Sequence, residues 1–339
     1  METTRGNDGQ ELGSEPADRS AGEVPATMRA VQRARYGGAE VLEVTEVEVP
    51  PVESGTVLVE VEAASVNPLD WHRMTGTPWL VRIGDGLRRP GSPGLGADLA
   101  GTVVAVGPDV AGLRPGDEVV GMGDGTFAQY VRVPADRVVP KPSAVGFDEA
   151  AGMGVAALTA LQGLRDKAEV TAGQTVLING AAGGVGTAAV QLARWLGAEV
   201  TGVCSTRNVE LVRSLGAARV IDYTAEDLAT IPERFDVMFD NQGNHSPATC
   251  RRLLSDDGTY LAVGGPKHNR VLGPMGRMLS AAIRFRFASQ RARMFIAQAN
   301  RPDLETLAGL LGSGELRTVV DTVYPMGRIR EAIDHLATG

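Results

Sequence analysis

The stretch Asn179-Gly180-Ala181-Ala182-Gly183-Gly184-Val185-Gly186 constrains this chain's fold more than any other. An apolar strand-like run, 175–178, precedes it. An apolar helix-like run, 187–196, follows, and a second strand-like run spans 199–204. Glycines between a strand and a helix let the backbone turn tightly and approach a pyrophosphate, whose charge rests on the helix N-terminus. A bare glycine pattern is a weak signal. With strand, helix and second strand all in place, it predicts a dinucleotide-binding unit.

The chain on either side reads as two different patterns. Residues 28–147 hold short apolar or alternating runs at 41–47, 57–66, 101–106, 118–121 and 127–133, separated by Pro/Gly turns, so this part is expected to be β-rich. One short helix is expected at 69–75, and irregular chain at 76–96. From Asp148 onward helices and strands alternate. Helices are expected at 156–167, 187–196, 209–215 and 247–254, and strands at 175–178, 199–204, 219–222, 235–240 and 259–263. Apolar runs such as 176–178 and 261–263 suit parallel strands buried on both faces, and the alternation predicts a doubly wound sheet. Residues 294–299 are expected to form its last, edge strand. The segment from Asp303 onward is read as two helices and a strand at 318–323, packing back on the first domain.

The chain has 339 residues, 43% hydrophobic and 22% charged, an ordinary composition for about two domains. No apolar run is long enough to span a membrane, and the N-terminus has no signal-peptide core. Cys204 and Cys250 are the only cysteines, too few for a disulfide framework or a Cys-rich zinc site. The expected location is the cytoplasm. Half of the formal charge of −8 sits in residues 1–27, where six acids face Arg5 and Arg19; this segment is read as a disordered leader. The acidic balance and the lack of a reader motif argue against nucleic-acid binding.

In such folds the second strand ends near the ribose 2′ position, about 20 residues past the glycines. That point is Ser205, within Cys204-Ser205-Thr206-Arg207-Asn208. An NAD site wants a carboxylate there, and 201–209 contains none. Two hydroxyls and a guanidinium instead suit a 2′-phosphate, so the expected cofactor is NADP (NADPH), read by Ser205, Thr206 and Arg207.

Several further motifs carry a resemblance. Ala64-Ser65-Val66-Asn67-Pro68-Leu69-Asp70, Gly94-Leu95-Gly96-Ala97-Asp98-Leu99-Ala100-Gly101, Arg114-Pro115-Gly116-Asp117 and Ser214-Leu215-Gly216-Ala217, with the glycine motif, resemble the medium-chain dehydrogenase/reductase superfamily. More narrowly, they resemble its zinc-lacking, zeta-crystallin-like quinone oxidoreductase branch. The resemblance runs from about Met28 to Leu336. It implies a GroES-like β-rich catalytic domain (28–149 plus 303–339) and a Rossmann cofactor domain (150–302), commonly paired as a homodimer.

Zinc-dependent members carry Cys where this chain has Asn67 and His-Glu where it has Ala97-Asp98, so no metal is expected: an amide and a methyl cannot replace a thiolate and an imidazole. The proton-relay hydroxyl of those enzymes is replaced by Leu69, while His72 falls on a relay-histidine position. The resemblance places Asn67 and Thr159 near the nicotinamide and its ribose or phosphates. Gly180, Ala182, Gly183, Gly184, Val185 and Gly186 are expected to hold the pyrophosphate, and Tyr223 to cover the adenosine phosphate. Asn241, Val263, Gly264 and Gly265 would line the crevice at the strand ends. Trp71, Trp79 and Leu80 are candidates for an apolar substrate wall, with Phe127 a weaker one.

The implied reaction is hydride transfer to a quinone or α,β-unsaturated carbonyl, with Asn67 or a ribose hydroxyl stabilising the enolate and His72 or water returning a proton. Two alternatives stay open: a zinc-independent carbonyl or biosynthetic redox enzyme acting on a polycyclic intermediate, and an NADPH-binding protein without turnover. A catalyst keeps a gap beside the nicotinamide that a mere binder can fill. Residues 258–302 are basic and acid-free. They read as a solvated helix or subunit contact, with an anionic substrate handle or weak attachment to an anionic membrane surface as other readings.

Overall fold

The computed structural model describes residues 24–264, 285 and 289–338. Two sheets organise them. The first holds five antiparallel strands in the order β6-β3-β4-β5-β7: β3 (Thr56–Ala63), β4 (Asp98–Val106), β5 (Glu118–Met122), β6 (Tyr130–Pro134) and β7 (Val138–Pro140). Beside it lies a hairpin of β1 (Thr27–Gln32) and β2 (Glu43–Glu48). The second sheet holds six parallel strands in the order β10-β9-β8-β11-β12-β13: β8 (Thr175–Asn179), β9 (Glu199–Cys204), β10 (Arg219–Asp222), β11 (Phe235–Asp240), β12 (Leu254–Ala262) and β13 (Arg291–Met294). The order reverses between β8 and β11, the switch point at which doubly wound sheets open a crevice.

Helices α1 (Pro68–Thr75), α2 (Val81–Asp85) and α3 (Phe147–Ala151) belong to the first half of the chain, and α4 (Gly154–Gln162) leads into the second. Then come α5 (Gly184–Trp195), α6 (Val209–Ser214), α7 (Pro247–Arg252), α8 (Arg301–Ser313) and α9 (Ile329–Thr338). One continuous core joins the two sheets. Ala100, Val120 and Val139 of the first pack with Leu158 and Leu161 of α4, Val176 and Ile178 of β8, and Leu304 and Leu307 of α8. Helix α9 closes a second cluster, in which Ile329 and Ile333 meet Val31, Leu42, Met74 and Phe127. Among the described residues no helix is long and apolar enough to cross a membrane.

Strands 199–204, 219–222 and 235–240 stand where the apolar pattern places them. The edge strand is Arg291–Met294, earlier than the expected 294–299, because Ala292 pairs with Tyr260 and Met294 with Ala262. Thr27, counted in the leader, already pairs with Glu48. The remainder of that leader up to residue 23, Gly265 and most of the basic stretch from Lys267 to Arg286 lie outside the described residues.

The strand expected at 318–323 is not one: the segment runs outside both sheets. A side chain replaces the ladder. Gln191 of α5 donates from Nε2 to the Arg317 carbonyl at 3.0 Å, and its Oε1 accepts from the Arg317 N–H at 3.0 Å. Gln191 is buried, so an apolar substitute leaves a peptide donor and acceptor unmet. Gln191→Met is expected to cost about 1–3 kcal/mol of stability, read from the urea midpoint. A midpoint equal to that of the wild type would show that water replaces the clasp.

Candidate active site

The glycine turn is shaped by two backbone demands. Gly180 sits at φ 84°, in the left-handed region, and its N–H and that of Ala181 both reach the Val203 carbonyl, tying β8 to β9. A Cβ on Gly186 would lie 2.0 Å from the Gly180 carbonyl oxygen. At Gly183 and Gly184 the opposite holds: an added Cβ meets nothing closer than 3.8 Å. Gly183 caps the 12-residue helix α5, and its first turn, Gly184-Val185-Gly186, is open to an anion. Ala182 and Val185 are half-buried beside it.

At the switch point the buried carboxylate of Asp240 gathers three strand ends. It accepts from Asn179 Nδ2 (2.8 Å), the Gln242 N–H (3.1 Å), the Gly243 N–H (2.8 Å) and the Tyr260 hydroxyl (2.7 Å). Asn241 follows, and its amide Nδ2 and Oδ1 are buried with no hydrogen-bond partner among the described residues. Gly264, next to Val263, lets β12 leave the sheet, since a Cβ there would lie 2.0 Å from the Asn241 carbonyl oxygen. An open helix N-terminus and an unmet amide at the crevice both fit a dinucleotide.

Across the cleft Asn67 is held between two buried carboxylates. Its backbone N–H donates to Asp70 Oδ2 at 2.8 Å, and its Nδ2 donates to Asp98 Oδ2 at 2.9 Å and to Ser65 Oγ at 3.1 Å. Asp98 also accepts from the Ser65 hydroxyl (2.5 Å) and the Val155 N–H (2.7 Å). Asp70 accepts from the Gly96 N–H at 3.1 Å. Burial pushes Asp98 up to about 6 and Asp70 up to about 7, the latter helped by the Asp98 charge and opposed by the bond from the Asn67 N–H. Both amide hydrogens of Asn67 are thus directed at Ser65 and Asp98, not at the cleft. Sequence reading missed both aspartates, although each lies inside a motif it quoted.

Ser65, Val66 and Asn67 line a cleft of about 150 Å³ together with Ala156, Gly184, Thr187 and the 316–319 segment. Thr159 lies one turn along α4 from Ala156, half-buried. His72, Trp71, Trp79 and Leu80 are not on this wall. His72 holds Thr77: its Nδ1 lies 2.6 Å from the Thr77 carbonyl, so Nδ1 carries the hydrogen. Trp71 packs against the Val31–Leu42 cluster and meets the His72 ring edge-on. Trp79 is 64% exposed, and Phe127 is core. A larger hollow of about 540 Å³, lined by Arg165, Asp166, Asp303 and Met294 among others, contains none of the expected site residues.

Beyond β9, Ser205 is half-buried and Thr206, Arg207 and Tyr223 are exposed. The Thr206 hydroxyl donates to Asp222 Oδ2 at 2.6 Å. Asp222 ends the neighbouring strand β10, so a carboxylate does stand at this corner, reached from the next strand and invisible to a count of about 20 residues past the glycines. Hydrogen bonds from Thr206 and Thr224 hold Asp222 below the usual carboxylate range. Among the described residues no group of three or more His, Cys, Asp or Glu side chains is placed to hold a metal ion.

The raised Asp70 and Asp98 carboxyls make stability pH-dependent. The folded state binds their protons more tightly than the unfolded chain, so this contribution is complete below about pH 4 and is lost as pH rises through 6 to 7. The urea midpoint is expected to fall between pH 5 and 8, and to fall less in Asp98→Asn, which is also weaker at pH 5 because an NH₂ then faces a donor. Parallel profiles would show that Asp98 titrates normally.

Comparison with known proteins agrees with this geometry. The alcohol dehydrogenase GroES-like domain family matches residues 53–143, and the zinc-binding dehydrogenase family matches residues 215–339. The chain is 33% identical to the 2-methylene-furan-3-one reductase of Solanum lycopersicum over 93% of its own length and 78% of that protein. It is 32% identical to the chloroplast envelope quinone oxidoreductase homolog of Arabidopsis thaliana, over 92% and 97%. The structure of the quinone oxidoreductase from Coxiella burnetii superposes with a TM-score of 0.81 at 30% identity, covering 92% of this chain and 96% of that one. With the glycine turn, the switch-point crevice and the GroES-like sheet, these matches show that the chain belongs to the medium-chain dehydrogenase/reductase superfamily, in its quinone oxidoreductase branch.

Proposed function

We propose that the chain is a zinc-independent, NADPH-dependent reductase of conjugated acceptors, a quinone or an α,β-unsaturated carbonyl. The observation that carries this reading is the cleft between Asn67 and the N-terminus of α5, a gap kept beside the expected nicotinamide position. A binder without turnover has no use for it. Relatives named as an NADPH-dependent alkenal/one oxidoreductase and a trans-enoyl reductase support the substrate class.

Bound NADPH would supply the hydride. The first turn of α5 holds the pyrophosphate, and Ser205, Thr206 and Arg207 the 2′-phosphate, with Tyr223 over the adenosine. Asn241, Val263 and Gly264 would border the nicotinamide carboxamide, with Thr159 toward the ribose. Asn67, fixed by Asp98 and Asp70, acts in this reading by setting the shape of the cleft floor; it serves as an enolate donor only when Asp98 releases its amide. The proton comes from water or from His72, whose Nδ1–H is spent on Thr77. An amide and a methyl at positions 67 and 97 leave no soft ligand for zinc. A conjugated acceptor tolerates this, because the negative charge delocalises onto a distant oxygen.

A second reading concerns the cofactor alone. Asp222 beside Thr206 is suited to a ribose hydroxyl, which favours use of NADH as well. The test is kcat/KM with each cofactor, against 1,2-naphthoquinone, an alkenal and a cyclic enone, with and without a chelator. Wild type is expected to prefer NADPH and to ignore the chelator. Arg207→Glu should lower the NADPH/NADH ratio about tenfold or more, about 1.4 kcal/mol. An unchanged ratio in Arg207→Glu that rises in Asp222→Asn would give the corner to Asp222, and loss of activity on chelation would end the metal-free reading.

A further inference from the structure

The segment 78–90, between α1 and β4, leaves three large apolar side chains in solvent. Trp79, Ile83 and Leu87 are 64%, 69% and 72% exposed. Trp79 lies in the turn that leads into α2, Ile83 within that helix and Leu87 just past its Gly86 end, so the three follow one another along a single short turn-helix-turn segment. Exposure this high means protruding side chains, not the floor of a groove. Single exposed apolar residues are normal, but three within nine positions of one short segment mark an interaction site.

The surrounding charges select the partner. Arg88 and Arg89 are exposed beside Leu87, and neither is paired with a carboxylate among the described residues. The one acid of the segment, Asp85, turns inward: it pairs with the fully buried Arg33 and lies 3.8 Å from Arg73. The guanidinium of Arg82 lies over Tyr36 (4.5 Å) and Trp79 (5.8 Å) and donates from Nε to the Gly76 carbonyl, which fixes the base of the protrusion. On a chain of net charge −8, this is an apolar tip flanked by arginines that no carboxylate among the described residues neutralises. We infer that segment 78–90 is a foot that docks on an anionic lipid bilayer, with Trp79, Ile83 and Leu87 entering the headgroup boundary and Arg88 and Arg89 on lipid phosphates. A protein partner would meet these convex side chains with pockets; a bilayer accepts them without any.

The test needs neither cofactor nor substrate, so it stands apart from the proposed activity. Wild type is mixed with phosphatidylcholine vesicles with and without phosphatidylglycerol, and bound protein is measured by sedimentation at low and high salt. Binding is expected to the anionic vesicles, to fall at high salt, and to drop about tenfold in Ile83→Asp/Leu87→Asp and in Arg88→Glu/Arg89→Glu. The tryptophan emission should shift to the blue on binding, and Trp79→Phe should remove the shift while Trp71 and Trp195 remain. Thermal unfolding checks that the exposed substitutions leave the fold intact. No binding by wild type, or equal binding by both double variants, overturns the inference. Self-association lost in Ile83→Asp/Leu87→Asp, with no vesicle binding, would assign the foot to a second copy instead.

Discussion

A single buried carboxylate holds the switch point together. Among the described residues Asp240 has no cation beside it; four hydrogen-bond donors satisfy it, from β8, from the turn after β11 and from β12. A buried charge is tolerated only when its lone pairs are met, and here they are met by the groups that must diverge for a crevice to open. Without that carboxylate, Asn179, Tyr260 and the Gln242 and Gly243 N–H groups would each lose a hydrogen bond at the strand ends. The register of β11 against β8 and the path of the chain into Asn241 both depend on it.

The opposite wall uses the same chemistry with a different result. Asp70 and Asp98 are each hydrogen-bonded, yet burial raises both toward neutrality, Asp70 further through the Asp98 charge. Where the family resemblance leads to a thiolate and an imidazole in zinc-dependent members, this chain has an amide locked onto a carboxylate. The site is thus built to be rigid and polar beneath the cleft while leaving its open face to whatever enters.

Much of this was legible in the sequence, for reasons that differ by element. The strands β8 to β11 of the parallel sheet are apolar and bounded by turns, so period and length place them within a residue, whereas β12 and the edge strand β13 begin earlier than the apolar pattern places them. The glycine turn was legible because Gly180 and Gly186 are needed by the backbone itself. What escaped was tertiary. Residues 318–323 alternate like a strand, but their backbone partner is a glutamine side chain of α5. Asp222 reaches the cofactor corner from an adjacent strand, which no count along one strand can reveal. Trp71, Trp79 and Leu80 looked like a substrate wall because they are large and near Asn67 in sequence. The helix α1 and the turn after it carry them away from the cleft.

The clasp between Gln191 and Arg317 has a mechanical consequence. Residues 316–319 form one side of the cleft, and the glutamine that grips Arg317 sits on the helix whose first turn faces the proposed pyrophosphate position. That side is therefore tied by hydrogen bonds to the helix that follows the glycine turn, whereas Ser65, Val66 and Asn67 lie between β3 and α1 of the other half. A bulky guest in the cleft therefore meets, at 316–319, a wall anchored to a helix of the nucleotide-binding half and not a free loop.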